Sequence, residues 1–231
     1  MTVLGLESTL KKEATSMKRP LDLLMFDLDG TLADTGPDLA DSVNYTRAHF
    51  ELAPLPQQRV YSHVGRGVDY LLRHALTEVA TKHFSQVLGV FLEHYEKHLL
   101  DKTILYPHVE DVLDHFADKR NVVVTNKLHR LAVAVLRGLG VEKRFDAILG
   151  GDSGPEKKPH PALLYSVLEQ FQITPANALM IGDGDTDVEA GQRAGVVTCG
   201  VTYGLGDKHD LIAAKPDFLI EDLGQLPRYF C

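Results

Sequence analysis

Leu23-Leu24-Met25-Phe26-Asp27-Leu28-Asp29-Gly30-Thr31-Leu32 is the stretch that decides how the rest of the chain reads. Four apolar residues run into two carboxylates spaced two apart, and a glycine follows at once. An extended strand sends alternate side chains to the same side, which puts Asp27 and Asp29 together. Gly30 permits a bend that re-aims the second of them. Two carboxylates in one pocket repel unless a cation or a proton separates them. The segment therefore reads as a metal site with an acid–base partner. Asp29-Gly30 between apolar residues reads equally well as a tight hairpin turn. A calcium loop does not fit, because Leu32 stands where its glycine belongs and Asp38 where its glutamate belongs.

Working outward, further short apolar runs occupy residues 121–124, 147–149, 178–181, 196–202 and 218–220, and each stops at polar or glycine residues. Segments with helical periodicity, 109–119, 128–139, 161–170 and 188–194, lie between most of them. Continuous apolar strands alternating with helices predict an α/β fold, a Rossmann-like parallel sheet flanked by helices. Ligands of such sheets sit beyond the carboxyl ends of the strands. Three of those ends carry Asp27/Asp29, Thr125/Asn126 and Asp183/Asp185/Asp187.

Residues 36–106 break this rhythm. They hold no clear strand, and helical patterns cover 38–52, 68–79 and part of 82–100. The block reads as an all-helical insertion between the first two strands of the sheet. The α/β part is then 17–35 together with 107–231, and residues 1–16 form an N-terminal extension.

The chain has 231 residues, enough for one or two domains with a sizeable core. A net charge of −8 without any Lys/Arg-rich block argues against nucleic-acid binding. No apolar run approaches the length of a membrane span, and the N-terminus lacks the apolar core of a secretory signal. Cys199 and Cys231 make no disulfide framework, so a cytoplasmic location is expected.

Other stretches carry chemistry as well. In Gly182-Asp183-Gly184-Asp185-Thr186-Asp187, three alternate carboxylates suit a hard divalent cation, and Thr186 or Asp187 also suits a helix cap. Thr125-Asn126-Lys127 offers a hydroxyl and an amide at a strand end, or a cap for the helix that follows. Prolines on either side of His160 stiffen Lys157-Lys158-Pro159-His160-Pro161, which reads either as a solvated surface loop or as a device that fixes the preceding lysine in place. No Gly-x4-Gly-Lys-Ser/Thr phosphate loop and no Gly-x-Ser-x-Gly nucleophile elbow occurs.

Taken in order, Asp-x-Asp-Gly-Thr, strand-end Thr-Asn, Lys-Pro-x-Pro and Gly-Asp-x-x-x-Asp resemble the four motifs of the haloacid dehalogenase superfamily. The resemblance covers about residues 20–225, and within the superfamily it is similar to phosphoglycolate phosphatases. It implies that Asp27 is a nucleophile toward phosphorus and that Asp29 is the general acid and base, in an environment favouring its neutral form. It implies Mg2+ on Asp27, the backbone carbonyl of Asp29, and Asp183. Lys158, oriented by Asp187, would offset charge, and Thr125 and Asn126 would hold phosphoryl oxygens. Asp185 would have at most a supporting role. Residues 36–106 match the helical cap domain such enzymes carry. Within it, glycine-flanked Arg66 is the candidate contact for a substrate carboxylate or second phosphate.

The expected activity is a magnesium-dependent phosphatase for a small phosphorylated metabolite, phosphoglycolate first, working as a monomer or homodimer. The same chemistry on pyrophosphate, a sugar phosphate or a nucleotide stays open, as does a sugar-phosphate mutase. A phospho-acceptor receiver domain is the distant alternative.

Overall fold

Strand β1 (Leu23–Phe26) is buried along its whole length and lies inside the sheet. The computed structural model describes residues 18–231, so the expected extension over 1–16 lies outside the described residues. After β1 come β2 (Ala33–Asp34), the helices α1 (Gly36–His49), α2 (Gln57–Tyr61), α3 (Val68–Ala75) and α4 (Thr77–His98), then β3 (Ile104–Leu105) and α5 (Val109–His115). The alternating part continues through β4 (Arg120–Val124), α6 (His129–Gly138), β5 (Ala147–Leu149), α7 (Ala162–Phe171) and β6 (Ala178–Gly182). It closes with α8 (Asp185–Ala194), β7 (Val197–Val201), α9 (Lys208–Ala213), β8 (Phe218–Ile220) and α10 (Leu226–Tyr229).

Six strands form one parallel sheet in the order β5-β4-β1-β6-β7-β8. The order grows one way from β1 to β5 and the other way from β6 to β8, so a crevice opens at the carboxyl end of β1. Register fixes what meets there: Phe26 lies opposite Val123 on one side and Ile181 on the other. The residues that follow these partners include Asp27, Thr125 and Asp183.

Strand alternation divides the core. Leu23 and Met25 pack with Leu164 and Val167 of α7, whereas Leu24 and Phe26 pack with Val112 of α5 and Val135 of α6. The second cluster runs without a break into the helical cap through Leu39, Leu72 and Phe91. Shared apolar burial thus joins the cap to the sheet's crevice.

Four local expectations need correction. Residues 36–106 do contain a strand, because β3 pairs antiparallel with β2, Ala33 opposite Leu105 and Asp34 opposite Ile104. Two residues are too short to show alternation. The helical pattern over 68–79 is two helices, broken at Leu76 with φ −130° and ψ 39°. The chain beyond Gly30 makes no hairpin with β1, since β2 pairs with β3 instead. Helix α8 starts at Asp185 with Gly184 as its N-cap residue, and of the two expected caps Asp187 does serve, from inside the first turn, by accepting from Gly184 N–H, whereas Thr186 does not.

Candidate active site

Asp27 extends β1 by one hydrogen bond, its N–H donating to Ile181 O at 2.9 Å. The chain then curls: Leu28 O accepts from the N–H groups of Thr31, Leu32 and Ala33 at 3.2, 3.0 and 3.0 Å. Gly30 makes the curl possible with φ +90°. A Cβ at Gly30 would lie 2.2 Å from Asp183 Oδ2, so only hydrogen fits there. The turn, rather than strand alternation, sets the relation between Asp27 and Asp29.

Asp183 leaves the end of β6 and is held from three directions. Thr31 Oγ1 donates to its Oδ1 at 3.0 Å, and the N–H groups of Leu205 and Gly206 each donate to its Oδ2 at 2.8 Å. Burial, then Asp27, then Asp187 push its carboxyl up to about 7, against the pull of the Gly206 and Thr31 bonds. Asp187 reaches back from α8 to accept from Gly184 N–H at 3.1 Å and from Lys158 Nζ at 2.6 Å. Lys158 also donates to Val124 O at 2.6 Å. Its Nζ stands 3.0 Å from Asp27 Oδ1, close enough to pair charge. Burial alone disfavours the Lys158 ammonium, but Asp187 and Asp27 outweigh it and raise its proton affinity.

One oxygen each from Asp27, Asp183 and Asp187 can be chosen so that all lie within 4.8 Å of one another. Three buried carboxylates face a single ammonium, and Asp27 Oδ1 has no aligned hydrogen-bond donor. An all-oxygen donor set with surplus negative charge and an unsatisfied buried oxygen fits a hard divalent cation. The Asp29 carboxylate is not in this group.

Asp29 is engaged elsewhere. Its Oδ1 accepts from Thr35 Oγ1 at 2.7 Å and Lys127 Nζ at 2.8 Å. A hydroxyl and a buried ammonium thus share one oxygen of the Asp29 carboxyl group. Lys127 is buried and also donates to Tyr95 OH of α4 at 2.8 Å. Burial disfavours its charge, but Asp29 and Tyr95 prevail and raise its proton affinity. The motif patterns assign no function to Thr31, Thr35, Tyr95 or Lys127. A lysine directly after the Thr-Asn pair was the one signal available.

Thr125 and Asn126 do not cap α6; Asp152 Oδ1 accepts from His129 N–H at 2.7 Å in their place. Thr125 Oγ1 accepts from Lys127 N–H at 3.2 Å, which leaves its own hydrogen free to donate. Asn126 Nδ2 is committed to Gly65 O at 2.8 Å and Lys158 O at 2.9 Å. Its side-chain amide is therefore a tie between core and cap, and its backbone N–H is the group left to meet an anion. Arg66 lines the cleft as expected, but its guanidinium is paired with Asp185.

The cleft has two lobes that meet at Asp27, Asp29, Val64 and Gly65. One encloses about 530 Å³ including its mouth and carries Arg66, Asp183, Asp185, Asp187, Asp207 and Asp210. The other encloses about 490 Å³ and is walled by Leu39, Val68, Leu71 and Phe91 with Tyr95 and Lys127.

Residues 24–201 match the model of the haloacid dehalogenase-like hydrolase family. The chain belongs to that family. Among similar members, the phosphoglycolate phosphatase of Haemophilus influenzae is 37% identical over 223 residues, covering 91% of this chain and 98% of that one. The phosphoglycolate phosphatase of Psychrobacter arcticus is 38% identical over 217 residues, covering 90% and 94%. The crystal structure of a predicted phosphoglycolate phosphatase from Haemophilus somnus superposes with a TM-score of 0.86 at 31% identity, covering 90% of this chain and 97% of that one. A haloacid dehalogenase-like protein from Streptococcus pneumoniae shares the fold, with a TM-score of 0.82 at 23% identity over 90% of this chain and 98% of that one.

Proposed function

We propose that this chain is a magnesium-dependent phosphatase that hydrolyses a small phosphomonoester, phosphoglycolate first, through an aspartyl-phosphate on Asp27. Its similarity to phosphoglycolate phosphatases supports the reaction class. The observation that carries the reading is the buried meeting of Asp27, Asp183, Asp187 and Lys158 at the mouth of the sheet's crevice.

In the first step an Asp27 carboxylate oxygen attacks phosphorus and the bond to the leaving oxygen breaks. Asp29 gives that oxygen a proton. In the second step Asp29 takes a proton from water, the water oxygen attacks the aspartyl phosphorus, and Asp27 is released. Asp29 needs a proton to begin, and Lys127 Nζ and Thr35 Oγ1 fix its side chain by donating to Oδ1. A phosphate dianion arriving beside it favours protonation by like-charge repulsion. Lys158 offsets charge between nucleophile and phosphate. The Thr125 hydroxyl and the Asn126 backbone N–H hold phosphoryl oxygens. Asp27, Asp183 and the Asp29 carbonyl would hold Mg2+, which would neutralise charge on the phosphate.

Residues 17–35 and 107–231 form the catalytic unit in this reading, and 36–106 form a cap that excludes water. Arg66, at the cap's edge of the acidic lobe, exchanges Asp185 for a substrate oxygen. The enzyme works in the cytoplasm, as a monomer or homodimer. Among the described residues no helix is long and apolar enough to cross a membrane.

Phosphate release by the purified chain with Mg2+, over a panel of small phosphorylated metabolites, tests the proposal. Many turnovers with stoichiometric inorganic phosphate are expected. One equivalent of persistent label on the protein, with no release, overturns it in favour of a receiver. Phosphate returned to another position of a sugar overturns it in favour of a mutase.

A further inference from the structure

The two lobes of the cleft differ in charge. The lobe with Arg66 also holds Asp183, Asp185, Asp187, Asp207 and Asp210. Its one cation is already paired. Beyond the carboxylates that would hold the metal, an acid group entering that lobe meets Asp185, Asp207 and Asp210 and must displace Asp185 to reach Arg66. The other lobe is walled by aliphatic and aromatic side chains, and Lys127 is its only cation.

Lys127 is a buried ammonium with only 4% of its side chain exposed. An ammonium has three N–H bonds. Asp29 Oδ1 and Tyr95 OH accept two of them, each at 2.8 Å. The third has no acceptor among the described residues. In a low-dielectric pocket an unused donor on a charged group is a strong anion contact. Tyr95 is itself buried and comes from cap helix α4, so it holds the ammonium in place from the opposite wall.

We propose that Lys127, positioned by Tyr95, is the specificity-determining cation: it takes the acid group of the leaving alcohol. This rests on the phosphatase reading above. Lys127 bonds the same carboxylate that protonates the leaving oxygen in that reading. The acid group must therefore lie within about one or two carbon atoms of the ester oxygen, by the ordinary length of hydrogen bonds. The substrate class is a short 2-phosphooxy carboxylate. A neutral alcohol leaves the third N–H unsatisfied, and a site built for a polar group discriminates against analogues that lack it.

The test compares kcat/KM for 2-phosphoglycolate and for ethyl phosphate, its neutral counterpart, in wild type, Lys127→Met and Tyr95→Phe. Wild type is expected to prefer phosphoglycolate. Lys127→Met is expected to reduce that preference by about 100-fold, because a buried charge partner is lost. Tyr95→Phe is expected to reduce it by about 5-fold, with the larger loss on phosphoglycolate and the smaller on ethyl phosphate. Should Lys127→Met fail to fold, Tyr95→Phe decides alone. Equal losses on both esters overturn the proposal, since a residue that only holds Asp29 affects both alike. Equal hydrolysis of both by wild type overturns it too, yet leaves the phosphatase reading standing. No phosphate from either ester, with release from other members of the metabolite panel, overturns the proposal and leaves the phosphatase reading; no release from any member of the panel overturns both.

Discussion

The two walls of the cleft are built in opposite ways. On the sheet side, Asp183 has three donors, and Lys158 lies between Val124 O and Asp187 with no side-chain exposure. Strand ends and a tight turn carry Asp27 and Asp183, and the connection before α7 and the first turn of α8 bring Lys158 and Asp187 to them. On the cap side, Arg66 is 41% exposed, stands between glycines with φ +96° and +90°, and has one carboxylate partner. Preorganised charge belongs where bonds are made and broken, because it then costs no reorganisation. Recognition tolerates a softer wall, and a cap can move with its substrate.

The largest effect expected on the sheet side is from Asp27→Asn. It should lower turnover by at least about 10³-fold, since the amide is no nucleophile. Circular dichroism and melting should stay near those of the wild type. Retained activity breaks the contrast at its foundation. Lys158→Met comes next, with about a 10³-fold loss in kcat and about 3 kcal/mol of stability lost, because carboxylates remain buried without a partner. Denaturant unfolding measures the second number, and an unchanged midpoint argues against a load-carrying ion pair.

Asp183 sharpens the comparison through pH. Its carboxyl in the metal-free fold is pushed up from 3.8 to about 7. The folded protein therefore binds a proton that the unfolded chain has already released. The stability this contributes is fully present below the unfolded value and is lost as pH rises through about 7. Metal-free wild type should lose stability between pH 5 and 8 relative to Asp183→Asn, by on the order of 2 kcal/mol. Mg2+ should restore it in wild type alone. Parallel pH profiles for the two proteins would remove like-charge crowding from the account. The smallest effect is expected on the soft wall. Arg66→Ala should raise KM about 10-fold for acidic and neutral esters alike, with kcat little changed. A loss confined to acidic esters would return acid recognition to Arg66.

Much of the sheet side was legible in the chain because its groups follow directly on apolar runs. Asp27, Thr125 and Asp183 sit just past β1, β4 and β6, where period and termination can both be read. The Lys158–Asp187 pair was reached through the motif resemblance, and the two residues do meet. The cap side was less legible for a physical reason. Tyr95 lies 32 residues from Lys127, and Lys127 lies 98 from Asp29, so only packing brings them together. On α4, which is kinked at His83, a buried tyrosine is indistinguishable by pattern from any other core aromatic. Strand β3 escaped notice because two residues carry no periodicity. The double duty of Asn126 is also invisible in one dimension, since its amide is spent on carbonyls of Gly65 and Lys158.

The position of β1 has a consequence for how the molecule comes into being. It is made early, yet its neighbours are β4, near residue 120, and β6, near residue 180. During synthesis this apolar tetrad emerges from the ribosome long before either partner exists. One edge then stays unpaired until residue 124 has been made and the other until residue 182, a hazard for association with other nascent chains. Pairing over such separations is slow. Chaperone demand should therefore peak before residue 182 has been made and fall once β6 can close the second edge.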